Sequence, residues 1–189
     1  PIFSTSTGRK WLGDPDFATV YEELNRRKAI VYTHPGEDAC CVANVRDVPQ
    51  ALIEFGTSTA RAMAELLFSG SAAKYSDIKF IFSHAGGTFP YLIRRFLLQA
   101  ATDKGKAVMP QGLEYYVRRF YFDTAQSYHP VPMRALKDTV PVSQILLGTD
   151  WPYRSVADTM NGIASVFSAT ELAAISGGNI RKLLPRFAA

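Results

Sequence analysis

Short apolar runs alternate with amphipathic stretches along this chain, and that alternation limits its fold more than any other feature. Residues 29–32 ("AIVY"), 78–82 ("IKFIF"), 120–122 and 145–147 are rich in aromatic and branched side chains and are bounded by turn signals. They read as buried strands. Helical spacing fills the gaps. Residues 16–28 place Phe17, Val20, Tyr21 and Leu24 on one face, with Asp14 as a cap just before Pro15. Residues 49–68 predict a longer helix with Leu52, Phe55, Ala60, Met63 and Leu67 inward. Further helices are expected over 89–98, 113–119, 131–139 and 155–167. The end, "TELAAISGGNIRKLLPRF", reads as a helix, a glycine stop and a short helix with Asn179 near its start.

Repeated strand–helix alternation is the signature of parallel βαβ units. Strands covered on both faces explain apolar runs that do not alternate with polar residues. Four strands are clear, and Ile2–Ser4 looks like the tail of a fifth. A complete eight-stranded β/α barrel takes about 250 residues, and this chain has 189. The expectation is one α/β domain over residues 1–189. It would be the C-terminal part of a (β/α)8 TIM barrel, from the end of the fourth strand through the eighth, with the first strands missing.

Charge narrows the partners. The net charge of +4 is spread along the chain, and the pairs Arg26–Arg27 and Arg94–Arg95 read as solvated helix faces. That argues against nucleic-acid binding. No apolar stretch approaches the length of a bilayer span, and no signal peptide opens the sequence. Cys40 and Cys41 are adjacent, which suits neither a disulfide nor a metal site. They read as reduced thiols of a cytoplasmic protein.

Polar residues stand at the strand ends: His34 in "AIVYTHPGE", His84 in "IKFIFSHAGG", Asp123 in "FYFDTA" and Asp150 in "QILLGTDWPY". In a parallel barrel the C-terminal strand ends gather at one mouth, where active sites sit. Gly86 and Gly87 let the chain turn tightly beside His84, and Pro90 suits the first turn of the next helix. Taken singly, a strand-end His is ordinarily a hydrogen-bonded structural residue, and a strand-end Asp a helix cap. Two imidazoles and a carboxylate converging together suit zinc or a similar divalent ion. Asp123 reads as a supporting carboxylate that orients a neighbour, and His129 as a loop residue. No Gly-rich phosphate motif is present, so no organic cofactor is expected.

The motifs "WLGDP" at Trp11, "VYTHP" at Val31, "FSHAGGTFPYL" at Phe82, "YFDTA" at Tyr121 and "LLGTDWPY" at Leu146 span nearly the whole chain. As a set they resemble the amidohydrolase superfamily, in its branch of metal-dependent non-oxidative decarboxylases. That branch includes the aminocarboxymuconate-semialdehyde, γ-resorcylate and 6-methylsalicylate enzymes. The resemblance implies that His34 and Asp150 bind a divalent metal, zinc or else manganese, and that His84 is the acid/base beside it. It implies that Arg95 binds substrate carboxylate across a dimer interface and that Trp151 contacts substrate. The implied partners are a small carboxylic acid and further copies of the chain, as a homodimer or higher oligomer. The implied activity is a carboxy-lyase. The alternatives are a metal-dependent lactonase or amidohydrolase of the same fold, and a non-catalytic piece. One departure is large. The family's first-strand pair of metal ligands, an H-x-H or E-x-H, has no counterpart here. This polypeptide alone is therefore expected to hold metal weakly and to be inactive.

Overall fold

The computed structural model describes residues 1–37 and 45–187, so Cys40 and Cys41 lie outside the described residues. The chain opens with strand β1 (Ile2–Ser4) and a small antiparallel hairpin, β2 (Ser6–Thr7) with β3 (Lys10–Trp11). Helix α1 (Ala18–Arg26) leads to β4 (Ile30–His34). Helices α2 (Gln50–Phe68) and α3 (Ser71–Lys74) precede β5 (Lys79–Phe82). Helices α4 (Phe89–Ala100), α5 (Asp103–Val108) and α6 (Leu113–Val117) precede β6 (Tyr121–Asp123). Helix α7 (Pro130–Thr139) leads to β7 (Ile145–Leu146). Helices α8 (Val156–Ile163), α9 (Ala169–Ala173) and α10 (Asn179–Leu183) close the chain. Among the described residues, no helix is long and apolar enough to cross a membrane.

The α/β expectation holds. Five strands form one sheet in the order β1–β4–β5–β6–β7, with every pair parallel. Register explains the core. Thr33, Phe82, Phe122 and Ile145 lie side by side across four strands, and all are fully buried. Met63, Leu66, Leu67, Phe89 and Phe96 belong to the same core. Phe82 meets Phe120 edge-on at 5.0 Å, and Phe89 meets Phe96 at 4.9 Å. Each such buried ring contributes roughly 2 kcal/mol. Side chains alternate along a strand. Fixing this apolar row against the helices therefore turns the next residues, His34 and Asp123, to the opposite face.

Several local expectations are corrected. The α1 stripe runs Phe17, Tyr21, Leu24, and the Tyr21 hydroxyl donates to the Leu12 carbonyl at 2.6 Å. Val20, one step off that stripe, is 47% exposed. Leu52 is 74% exposed, because the first two turns of α2 run past the core and burial begins at Ser58. Helix α8 stops at Ile163. A new helix, α9, starts at Ala169, and the hydroxyl of its N-cap Ser168 forms a capping box with Glu171. The glycine pair does not stop the final helix. Residues 174–178 continue as a π-helical turn into α10, where the Asn179 amide donates to the carbonyls of Val142 and Ile145, both at 2.8 Å.

The loop after β5 is fastened to α2. Gly87 has φ +60°, and a Cβ there would sit 1.9 Å from the Gly56 carbonyl oxygen. The neighbouring Thr88 N–H donates to that same oxygen at 3.1 Å. Left-handed strain and the backbone clash together should make Gly87→Ala cost about 3 kcal/mol in urea unfolding. Gly112→Ala, at φ +80° with nothing within 4 Å, should cost about 1 kcal/mol.

Candidate functional site

His34 is the last residue of β4. Its Nδ1 lies 2.8 Å from the Pro35 carbonyl oxygen. A carbonyl only accepts, so Nδ1 carries a hydrogen and Nε2 is the ring nitrogen left for another partner. That Nε2 faces Asp150 Oδ1 at 3.8 Å.

His84 does not sit on β5 but two residues beyond it, in a turn of unusual backbone. Residues His84, Ala85, Gly86 and Gly87 have φ of +55°, +57°, +75° and +60°. This run lifts the imidazole out of the strand line and over the mouth. Its ring meets that of His34 edge-on, with centroids 5.2 Å apart. His84 Nε2 is buried without a hydrogen-bond partner and lies 3.9 Å from Asp150 Oδ2. Asp150 stands four residues past the end of β7 with φ +63°. One donor atom from each of His34, His84 and Asp150 lies within 4.8 Å of the others. The structure thus brings together the three strand-end groups expected to do so. The His34 Nε2 and the Asp150 carboxylate are a donor set that suits a divalent cation, and the unpaired Nε2 of His84, a buried lone pair, is left free beside them.

Asp123 supports this arrangement through the backbone. It is buried, and its Oδ1 accepts the N–H groups of His84 at 2.9 Å and Ala125 at 3.0 Å. Its Oδ2 accepts the Tyr32 hydroxyl at 2.5 Å. Burial pushes the Asp123 carboxyl above its usual range, although these donors and His84 pull it down. Burial, followed by the Asp123 charge, pushes the Tyr32 hydroxyl up. Burial holds the His84 imidazole below its ordinary value. His34 adds to that effect, and the Asp123 and Asp150 carboxylates oppose it.

Other expected residues lie outside this cluster. Arg95 is on the solvent face of α4. Trp151 is 76% exposed, with its backbone N–H on Thr149 Oγ1 at 3.2 Å. His129 caps α7 by accepting the Val131 N–H. Two residues were not anticipated. Tyr32 had a signal, being two before His34 and so on the same strand face. Gln126, whose amide donates to Asp150 Oδ2 at 2.9 Å, had none. A cavity of about 340 Å³ opens beside Asp150, lined by Tyr32, Ile81, Asp123, Leu147 and Thr149 among others.

Known proteins share this framework. The amidohydrolase family profile matches residues 2–186. Decarboxylase yanB of Aspergillus niger is 32% identical over 201 residues, covering 98% of this chain and 54% of that protein. The 6-methylsalicylic acid decarboxylase of Penicillium expansum is 36% identical over 150 residues, covering 77% of this chain and 45% of that protein. A crystal structure described as an amidohydrolase II superposes with a TM-score of 0.86 at 26% identity, covering 97% of this chain and 60% of that one. The chain spans about half the length of the curated relatives it matches.

Asp123→Ala would strand two backbone N–H groups and a hydroxyl. It should cost about 3 kcal/mol or more in urea unfolding, whereas Asp123→Asn, which keeps an acceptor, should cost less. His84 in metal-free protein should titrate below about 6.5 by NMR. The sign for stability follows: the fold then binds fewer protons than the unfolded chain, so stability falls as pH drops through that value. His84→Gln should flatten that part of the stability–pH curve.

Proposed function

We propose that this chain, which belongs to the amidohydrolase family, supplies the His34–His84–Asp150 part of a longer enzyme that carries out metal-dependent, non-oxidative decarboxylation of an aromatic or enol-type carboxylic acid. The observation that carries the reading is the convergence of His34, His84 and Asp150, with one donor atom from each within 4.8 Å of the others, at the C-terminal end of a parallel sheet. Two curated relatives described above, both named decarboxylases, support it.

In this reading His34 Nε2 and the Asp150 carboxylate hold the divalent ion. Zinc is favoured by the imidazole–carboxylate donor set, with manganese as the alternative. When bound, the ion supplies positive charge that stabilises the anion developing on the substrate. His84 manages the proton. Held neutral by burial, its Nε2 can take the proton of the substrate acid and return it to the carbon that bears the carboxyl group. The bond from that carbon to the carboxyl carbon breaks, its electron pair stays on the substrate, and CO2 leaves. No electrons are exchanged with a third party, so no organic cofactor is required. The cavity beside Asp150 is lined by both apolar and polar groups, Ile81 and Leu147 with Tyr32 and Thr149, a mix that suits an aromatic acid. Trp151, next to Asp150 and exposed, is read as a substrate contact. Arg95, exposed on α4, is read as the cation that a second copy in a homodimer would offer to the substrate carboxylate.

The test is CO2 release from hydroxybenzoates such as 6-methylsalicylic acid, set against ring opening of lactones, in the purified protein with zinc or manganese. His84→Asn should lower decarboxylation about 100-fold or more while metal stays bound. His34→Ala and Asp150→Ala should lower the metal content itself. Lactone opening without CO2 release would replace the proposal with a hydrolase.

A further inference from the structure

Of the three converging groups, Asp150 is the one whose orientation its own segment leaves open. His34 is fixed by the Pro35 carbonyl on its Nδ1. His84 is fixed by burial and by the Asp123 clamp on its backbone. Asp150 instead lies in the irregular stretch between β7 and α8, with its side chain 22% exposed. The last torsion of an Asp side chain is broad, so a carboxylate there would by itself present either oxygen.

One hydrogen bond removes that freedom. The Gln126 amide, from the loop after β6, reaches across 24 residues of sequence and donates to Asp150 Oδ2 at 2.9 Å. A carboxylate only accepts, so the amide nitrogen must face it. Both ends of this bond are in left-handed backbone, Gln126 at φ +55° and Asp150 at φ +63°. Neither residue takes that conformation freely, and such strain persists only where surrounding structure imposes it. Around Gln126 that structure is visible: the Ala125 N–H is held by Asp123 Oδ1, and the Ser127 N–H by the Thr124 carbonyl at 3.1 Å. Glycine would meet the backbone demand at less cost, but it would have no amide to reach Asp150.

We propose that Gln126 is a positioning residue of the metal site. Its amide ties Oδ2 of Asp150 and thereby turns Oδ1 toward His34 Nε2, which faces it at 3.8 Å. The choice of a neutral donor matters. A lysine or arginine in the same place would pair with Asp150 as a cation and compete with the metal, whereas an amide orients the carboxylate and leaves its charge in place. The inference rests on the reading of Asp150 as a metal ligand.

The experiment measures zinc affinity by chelator competition in the purified protein, with Gln126→Gly, Gln126→Met and Asp150→Ala. It is read beside the visible spectrum of the cobalt-loaded protein and the thermal midpoint of the metal-free protein. Both Gln126 variants should bind zinc about 10- to 100-fold more weakly and shift the cobalt bands. Gln126→Gly should keep or raise the metal-free midpoint, because glycine takes this backbone freely. Wild-type zinc affinity in both Gln126 variants, with affinity lost in Asp150→Ala, would overturn the inference and leave the ligand assignment standing. Full affinity in Asp150→Ala would overturn the ligand assignment and the inference with it. A midpoint that falls together with affinity in both Gln126 variants would make Gln126 a structural residue, which also overturns it.

Discussion

The buried carboxylate of Asp123 is the point from which the rest of the mouth takes its shape. It accepts a hydroxyl from β4, a backbone N–H from the turn after β5 and another from its own loop. The segment just after β7 is pressed against it as well: a Cβ on Gly148 would lie 2.8 Å from that of Asp123. Nothing in an isolated βα unit would hold His84 in its left-handed turn. The N–H bond to Asp123 does so, and it makes the imidazole's position depend on β6. A buried carboxylate without donors would be costly. With three of them it becomes a joint between strands, and its burial there pushes the carboxyl pKa up.

Strain is concentrated where the chemistry is. Among the described residues with positive φ that are not glycine, His84, Ala85, Gln126 and Asp150 are at the mouth, and Lys28 and Asp47 are elsewhere. Each costs on the order of 1–2 kcal/mol. The sheet can impose this because the row Thr33, Phe82, Phe122 and Ile145 is fully buried on the other face. A strand locked by its apolar side cannot twist to relieve a loop on its polar side. Core packing and site geometry are therefore one problem here: the Phe row decides which face the polar strand ends occupy, and the loops then bend those ends inward.

Much of this was legible in the sequence, for identifiable reasons. Continuous apolar runs marked the strands, because both faces of a parallel strand are covered. The convergence of His34, His84 and Asp150 followed from the strands sharing one direction, with no need for side-chain detail. What periodicity could not supply was the extent of the core along each helix. Leu52 lies in the right phase for burial but too near the N-terminus of α2 to reach anything. It also could not supply loop conformation. Gln126 carries no pattern that distinguishes it from a solvated loop residue, and its role depends on a torsion that sequence does not display. Asp123, expected to orient a neighbour, accepts a hydrogen bond from the backbone N–H of His84.

The electrostatics of the mouth favour a proton carrier over a fixed charge. If His84 were held protonated by its carboxylate neighbours, it would repel a divalent ion and could only donate. Burial outweighs those carboxylates and keeps the imidazole neutral, with a free buried nitrogen. A neutral base can accept a proton from an incoming acid and give it back at carbon, which is all that loss of CO2 from a carboxylic acid demands in protons. The same neutrality keeps the net charge beside Asp150 low enough for a cation to be welcome. Desolvation of one imidazole thus serves both halves of the proposed reaction, metal retention and proton return. It arises from the packing of the strained turn that carries His84 over the sheet.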